Sequence, residues 1–299
     1  MLNSNRRNFL RQSLAAAAFS ATPALAAARV KREKGTRLRL ALNAYSFNKP
    51  LMDGKMTLFD VVEFCAQHNV DSLDATGYYF PGYPNVPSDD YLFKLKRTGF
   101  VNGVPISGTG VRNDFSVPDA AARKKDVQMV KAWIEAAHKM GAPVVRVFSG
   151  KSVPEGYSFD KVLSWMIPDF KECTEHARKY GVILGLQNHN DFLKTAAETI
   201  RLIEAIDSEW FGSILDVGSL RQNDPYEEIE KLVPYAVSWQ VKEQIFYGSK
   251  STPIDLRKLR GAIERVGYRG PLAFEALRPG DPKDGIIAFL EQIRKEFSL

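Results

Sequence analysis

The 299 residues carry 44% hydrophobic and 25% charged side chains with 21 Gly and 16 Pro. That is the composition of a packed globular protein, and it excludes a disulfide-stapled peptide, a collagen-like chain and long disorder. The 41 Lys and Arg against 35 Asp and Glu give +6, a balance that taken alone points toward an acidic partner such as nucleic acid.

Half of that excess lies in the first 28 residues, which hold Arg6, Arg7 and Arg11 and no acid. Without them 38 cationic side chains face 35 acidic ones, a charge of +3. The stretch has a basic start, a mild apolar run from Leu14 to Phe19 and the small-residue pattern Ala24-Leu25-Ala26, the features of a cleavable secretory leader. Its apolar run is far shorter than the roughly 20 residues of a membrane span, so no stable anchor is expected. Arg6-Arg7 followed by Phe9-Leu10 resembles the twin-arginine export signal. Residues 1–28 are therefore read as a leader engaging the export machinery and 29–299 as one domain, placed in the periplasm or otherwise exported.

Beyond the leader, short runs rich in Val, Ile and Leu begin near Leu38, Ser72, Val104, Val144, Val182, Ser213, Val237 and Leu272. Each is followed by a segment of helical periodicity, as in βα units around a parallel sheet. Successive starts lie 24 to 40 residues apart, and eight such units predict a closed (β/α)8 barrel. Thr57-Leu58-Phe59-Asp60 reads as a capping-box start of a helix reaching Asn69, and Gly141, Gly181, Gly267 and Gly270 read as stops before strands. An open doubly wound sheet would carry a glycine-rich phosphate turn after its first strand, whereas the chain has Asn43-Ala44-Tyr45-Ser46-Phe47 there. The aromatic segment from Gly77 to Pro84 is expected to hang over the barrel mouth as a substrate wall. Cys65 and Cys173 lie far apart in helical patterns with no ligand spacing, which predicts two buried thiols. Basic residues are scattered without interleaved aromatic platforms, so no nucleic-acid partner is expected.

Active sites of such barrels form at the carboxyl ends of the strands. The polar residues there are Asn43, Asp74, Arg146, Gln187, Asn188, His189, Asp216, Gln240, Lys242, Glu243 and Glu275. Gln187, Asp216, Gln240 and Glu275 each end one strand. Their oxygens suit a hard divalent cation such as Mg2+, Mn2+ or Ca2+, and equally suit a metal-free ring in which amides donate to carboxylates. Asn43, Tyr45, Tyr79, Arg146 and Glu243 are the substrate-binding candidates. His68, His138 and His176 fall in helix patterns and read as surface residues.

Leu-Gln-Asn-His at 186–189, Leu-Asp-Val-Gly at 215–218, Gln-Val-Lys-Glu at 240–243 and Gly-Tyr-Arg-Gly-Pro-Leu-Ala-Phe-Glu at 267–275 resemble the sugar phosphate isomerase/epimerase superfamily. These are the xylose-isomerase-like barrels that also include endonuclease IV, and the resemblance covers nearly all of the chain after the leader. It implies a divalent ion, Mn2+, Mg2+ or Zn2+, bound through Glu, Asp, His and Glu, and these slots hold Gln187, Asp216, Gln240 and Glu275 here. Family epimerases use two carboxylates on opposite sugar faces. Gln187 has no accessible protonation near neutral pH, so that symmetric mechanism is not expected. Glu275 remains as a single base, with His189 and Lys242 as candidate acids because period-two spacing sets them on the strand face of Gln187 and Gln240. One base and one acid suit isomerisation or β-elimination on an unphosphorylated keto sugar or glycoside. The alternative is a catalytically inactive carbohydrate-binding barrel. A nuclease needs a histidine-rich metal cluster, which four histidines do not supply.

Overall fold

In the computed structural model, which describes residues 29, 30, 32 and 35–299, eight parallel strands close into a barrel. They are β1 (Arg39–Asn43), β2 (Ser72–Thr76), β3 (Ile106–Gly110), β4 (Val144–Val147), β5 (Ile183–Gln187), β6 (Phe211–Asp216), β7 (Ala236–Lys242) and β10 (Pro271–Glu275). All start within two residues of the expected positions, and β1 closes the ring by pairing with both β2 and β10. The expected (β/α)8 barrel is thus observed. The leader expected at 1–28 lies outside the described residues. Among the described residues no helix is long and apolar enough to cross a membrane.

Each strand reads as an apolar run because both of its faces are covered, one by the barrel interior and one by the helical ring. β2, β4 and β6 are buried along their whole length. The ring consists of α1 (Asn48–Met52), α2 (Leu58–Gln67), α3 (Asp89–Val101), α4 (Ala120–Met140), α5 (Phe159–Tyr180), α6 (Ala196–Ile206), α7 (Pro225–Leu232), α8 (Leu256–Arg265) and α9 (Pro282–Phe297). α2 begins in the expected capping box, with the Thr57 hydroxyl accepting from the Asp60 amide. α4 and α5 end on left-handed Gly141 and Gly181, where a side chain would be strained. Cys65 and Cys173 are free and buried, and burial pushes both thiols up.

Two features were not expected. After β7 the chain forms an antiparallel hairpin, β8 (Gln244–Tyr247) and β9 (Lys250–Pro253), which stands apart from the barrel sheet. The Gly77–Pro84 segment is also only partly a wall. Phe80 is 3% exposed and packs edge-on against Trp133 of α4, so the middle of the segment is anchored in the core. Tyr78 and Tyr79 stay half-buried at its start.

Candidate active site

Strand register sets the site. Asn43 lies beside Asp74, Asp216 beside Gln240, and Glu275 beside Lys242, so the polar residues that end the apolar runs meet at one end of the barrel.

The arc formed by β1 to β5 is braced. Asn43 is fully buried; its amide donates to Asp74 (3.0 Å) and its oxygen accepts from the Tyr45 amide (2.8 Å) and Thr76. Both ends of this side chain therefore hold protein, and it stands beneath the mouth as a tie rather than as the substrate contact expected from sequence. Burial raises the Asp74 carboxyl, against the opposing pull of Arg146 and the Asn43 hydrogen bond. Arg146 donates to the Tyr78 hydroxyl (2.6 Å) and to the Gln187 oxygen (3.3 Å), with its guanidinium 4.6 Å from the Phe148 ring centre. Gly110 makes room for it, since a Cβ there would lie 2.7 Å from Arg146 Nε. The Tyr79 hydroxyl donates to Asn48 (2.8 Å), and burial raises its pKa.

The arc formed by β6, β7 and β10 is charged. Asp216 is fully buried. Its Oδ2 accepts from Gln187 Nε2 (2.7 Å) and the Ser219 hydroxyl (2.8 Å) and lies 3.0 Å from Lys242 Nζ, while its Oδ1 accepts from the Gly218 amide (3.0 Å). Burial would push this carboxyl up, but Lys242, His189 and the hydrogen bonds hold it below the usual range. Lys242 Nζ is also 3.6 Å from Glu275 Oε1. Burial alone would lower the ammonium, and the two carboxylates hold it above its ordinary value instead. Glu275 is 5% exposed, and burial raises its carboxyl even though Lys242 pulls the other way. Gly218 clears a path for the lysine, because a Cβ there would lie 2.8 Å from Lys242 Cδ.

This arrangement differs from the four-oxygen cage expected for a divalent ion. Gln187 turns its NH2 to Asp216 and its oxygen to Arg146. Gln240 donates to Asp74 (3.3 Å), and its buried oxygen, like the buried Nε of Arg146, lacks a partner. The Lys242 ammonium stands between the two carboxylates and cancels one of their two charges, so a dication would meet an occupied position and a halved attraction. The donors as arranged do not fit a divalent metal. Among the described residues no group of three or more His, Cys, Asp or Glu could hold one. Half of the alternative amide-carboxylate ring is present, in the Gln187–Asp216 bond.

A cavity of about 620 Å³ opens on the charged arc, lined by Lys242, Glu243, Glu275, Arg221, Phe246 and Arg278 among others. Glu243 was expected to bind substrate. Here it accepts from Arg278 Nε (2.6 Å) and the Leu277 amide (3.1 Å), tying the loop after β10 to β7. His189, with Nδ1 2.8 Å from Asp191, lines a different cavity of about 400 Å³ with Arg112 and Asp114. The two cavities share no lining residue; of the two expected acids Lys242 stands 3.6 Å from Glu275, while His189 faces the second cavity and acts on Asp216 only through its charge. Tyr45 lines a third hollow at the rim with Asn48 and Arg278. His68, His138 and His176 sit at or near helices of the outer ring; His138 meets the Tyr180 carbonyl and His176 meets Glu135. Sequence reasoning missed Ser219, Arg221, Phe246 and Arg278; the alternating residues on either side of Gly248 were the available sign of the hairpin that carries Phe246.

The chain matches the xylose isomerase-like TIM barrel family over residues 59–296 and belongs to that family. No curated protein sequence matches it. Among solved structures it is similar to D-psicose 3-epimerase from Clostridium cellulolyticum H10, at 16% identity and TM-score 0.71 over 87% of this chain and 99% of that one. It is also similar to 3-keto-D-glucoside 4-epimerase from E. coli, at 13% identity and TM-score 0.69 over 87% and 99%. The IOLI protein with a bound zinc atom is similar at 16% identity and TM-score 0.72 over 87% and 100%. At these identities the likeness establishes the fold.

Proposed function

We propose, with membership of the xylose isomerase-like barrels as the premise, that this protein is a sugar-modifying enzyme that removes a proton next to a carbonyl. In this reading the lysine ammonium does the work a cation would do. The observation that carries it is the placement of Lys242 Nζ between Asp216 (3.0 Å) and Glu275 (3.6 Å). The epimerase names of similar structures support the substrate class.

Glu275 is the base. Its burial raises it above the ordinary glutamate range, which strengthens it as a proton acceptor while Lys242 keeps an ionised fraction available. An ammonium has three N–H donors; two carboxylates flank this one, and the third donor is available to a substrate carbonyl oxygen. As the carbon–hydrogen bond breaks, the proton passes to Glu275 and the bonding electrons move onto that oxygen, where the fixed charge of Lys242 stabilises the enolate. Held protonated, Lys242 acts through its charge and not as an amine nucleophile. Asp216, kept ionised, holds the lysine in place. Return of the proton to a neighbouring carbon gives isomerisation, and loss of a β-substituent gives elimination.

Export in a folded state is part of the same reading, supported by Arg6-Arg7, Phe9-Leu10 and Ala24-Leu25-Ala26. N-terminal sequencing of the periplasmic fraction should begin near residue 27 to 29, and a full-length cytoplasmic protein would remove this part. The chemistry is tested by NMR of keto sugars and 3-keto glycosides in D2O. The wild type should wash deuterium into the position next to the carbonyl and Glu275→Gln should not. A second reading, a sugar-binding barrel without turnover, is favoured by the mutual pairing of Lys242, Asp216 and Glu275; saturable sugar binding without exchange in the wild type would establish it.

A further inference from the structure

Three cations line the large cavity, and two of them have carboxylate partners. Lys242 is held by Asp216 and Glu275, and Arg278 by Glu243. Arg221 has no carboxylate partner and donates no hydrogen bond to protein among the described residues, and its Nε is buried without an acceptor. Its guanidinium carbon lies 3.8 Å from the centre of the Phe246 ring, so a residue of the β6–α7 connection is stacked on the hairpin unique to this side of the barrel.

Stacking on an aromatic face fixes the guanidinium plane and strips water from one side, which lowers the ordering cost of receiving a planar, two-oxygen partner. A buried N–H without an acceptor is unfavourable until a ligand supplies one. Both facts describe a site prepared for an oxyanion. Lys242 and Arg278 are each held by carboxylates at contact distance, so among the described residues Arg221 is the one cation of the cavity whose guanidinium is free to receive an anion.

We propose that Arg221, stacked on Phe246, is a specificity-determining residue that binds an oxyanion on the substrate. The guanidinium edge can pair with two oxygens of a carboxylate or of a phosphoryl group, and the reading of the substrate as an unphosphorylated sugar selects the carboxylate of a sugar acid. This inference rests on the proton-abstraction reading for the identity of the cavity as the substrate site. It assigns Arg221 to recognition, 21 residues before Lys242 in the chain, and gives it no part in proton transfer.

The test is calorimetric binding of D-glucuronate, D-glucose and D-glucose 6-phosphate to the wild type, Arg221→Met, Arg221→Lys and Glu275→Gln. Thermal unfolding of each variant verifies the fold. Glucuronate should bind the wild type at least tenfold tighter than glucose, with the advantage falling as salt rises. Arg221→Met should erase that advantage, Arg221→Lys should keep part of it, and Glu275→Gln, which removes a carboxylate from the same cavity, should widen it. Equal affinity for glucose and glucuronate, an advantage that survives Arg221→Met, tighter binding of the phosphate ester, or no binding of any of the three would overturn the proposal. Deuterium exchange is read separately: absence of exchange with an intact glucuronate preference breaks the proton-abstraction reading alone, and exchange without the preference breaks this one alone.

Discussion

The two arcs of the barrel mouth both gather polar residues at or just beyond the strand ends and reach opposite outcomes. On the β1–β5 arc, Asn43 donates to Asp74 and Arg146 donates to the Tyr78 hydroxyl, so each side chain has a partner within the arc. On the β6–β10 arc, an ammonium and two carboxylates meet beside a cavity, with Glu275 left above its ordinary pKa. The contrast teaches that a polar strand end is not by itself a functional residue. Where amide and hydroxyl partners are within reach, burial yields a brace; where like charges share one counter-charge, it leaves a carboxyl above its ordinary pKa.

The substitution that strikes this contrast in both rate and stability is at Lys242. Lys242→Met should lower deuterium exchange by about 10²–10³-fold, the effect of losing one preorganised oxyanion partner, and should destabilise the fold by about 3–5 kcal/mol because two buried carboxylates lose their shared partner. Exchange rates and denaturant unfolding measure the two, and a variant with unchanged exchange would move the chemistry elsewhere. Glu275→Gln should cost about 10²–10⁴-fold in exchange while sparing ligand binding.

The pH profile sharpens the same point. A base must be ionised, so wild-type exchange should rise with pH through an apparent pKa above the ordinary glutamate value of about 4.3. The residual exchange of Lys242→Met should shift that limb upward, because its ammonium is the main influence lowering Glu275. A limb that moves downward would contradict the assignment. Gly218→Ala, whose new Cβ would stand 2.8 Å from Lys242 Cδ, should displace the ammonium and slow exchange by about 10–100-fold. The smallest catalytic effect belongs to the braced arc. Asn43→Ala should cost about 1–3 kcal/mol of stability and leave exchange at the wild-type rate; a large loss of exchange would place Asn43 in the chemistry after all.

The barrel itself was legible because its strands are covered on both faces, so each appears as an unbroken apolar run with a helical segment behind it. The strand-end positions were legible for the same reason, as polar residues terminating those runs. Which partner each side chain chooses was not. Lys242 had Glu243 next to it in sequence and Asp216 one strand away, yet it bridges Asp216 and Glu275, because β10 lies against β7 and Glu243 is drawn off by Arg278. Gln187 offered its oxygen to a metal on paper, but the proximity of Arg146 and Asp216 fixes how its amide turns. The hairpin and the Arg221–Phe246 stack join segments 25 residues apart, a tertiary contact that periodicity does not encode.

The central claim is that the Lys242 ammonium occupies the place of a cation between Asp216 and Glu275. Crystals of the wild type and of Lys242→Met grown in Mn2+ test it most directly, through anomalous difference maps at the manganese edge. The account predicts no manganese peak between the two carboxylates in the wild type and a peak there once the lysine is removed. A wild-type manganese ion bound by Asp216 and Glu275, with Lys242 turned away, would contradict it.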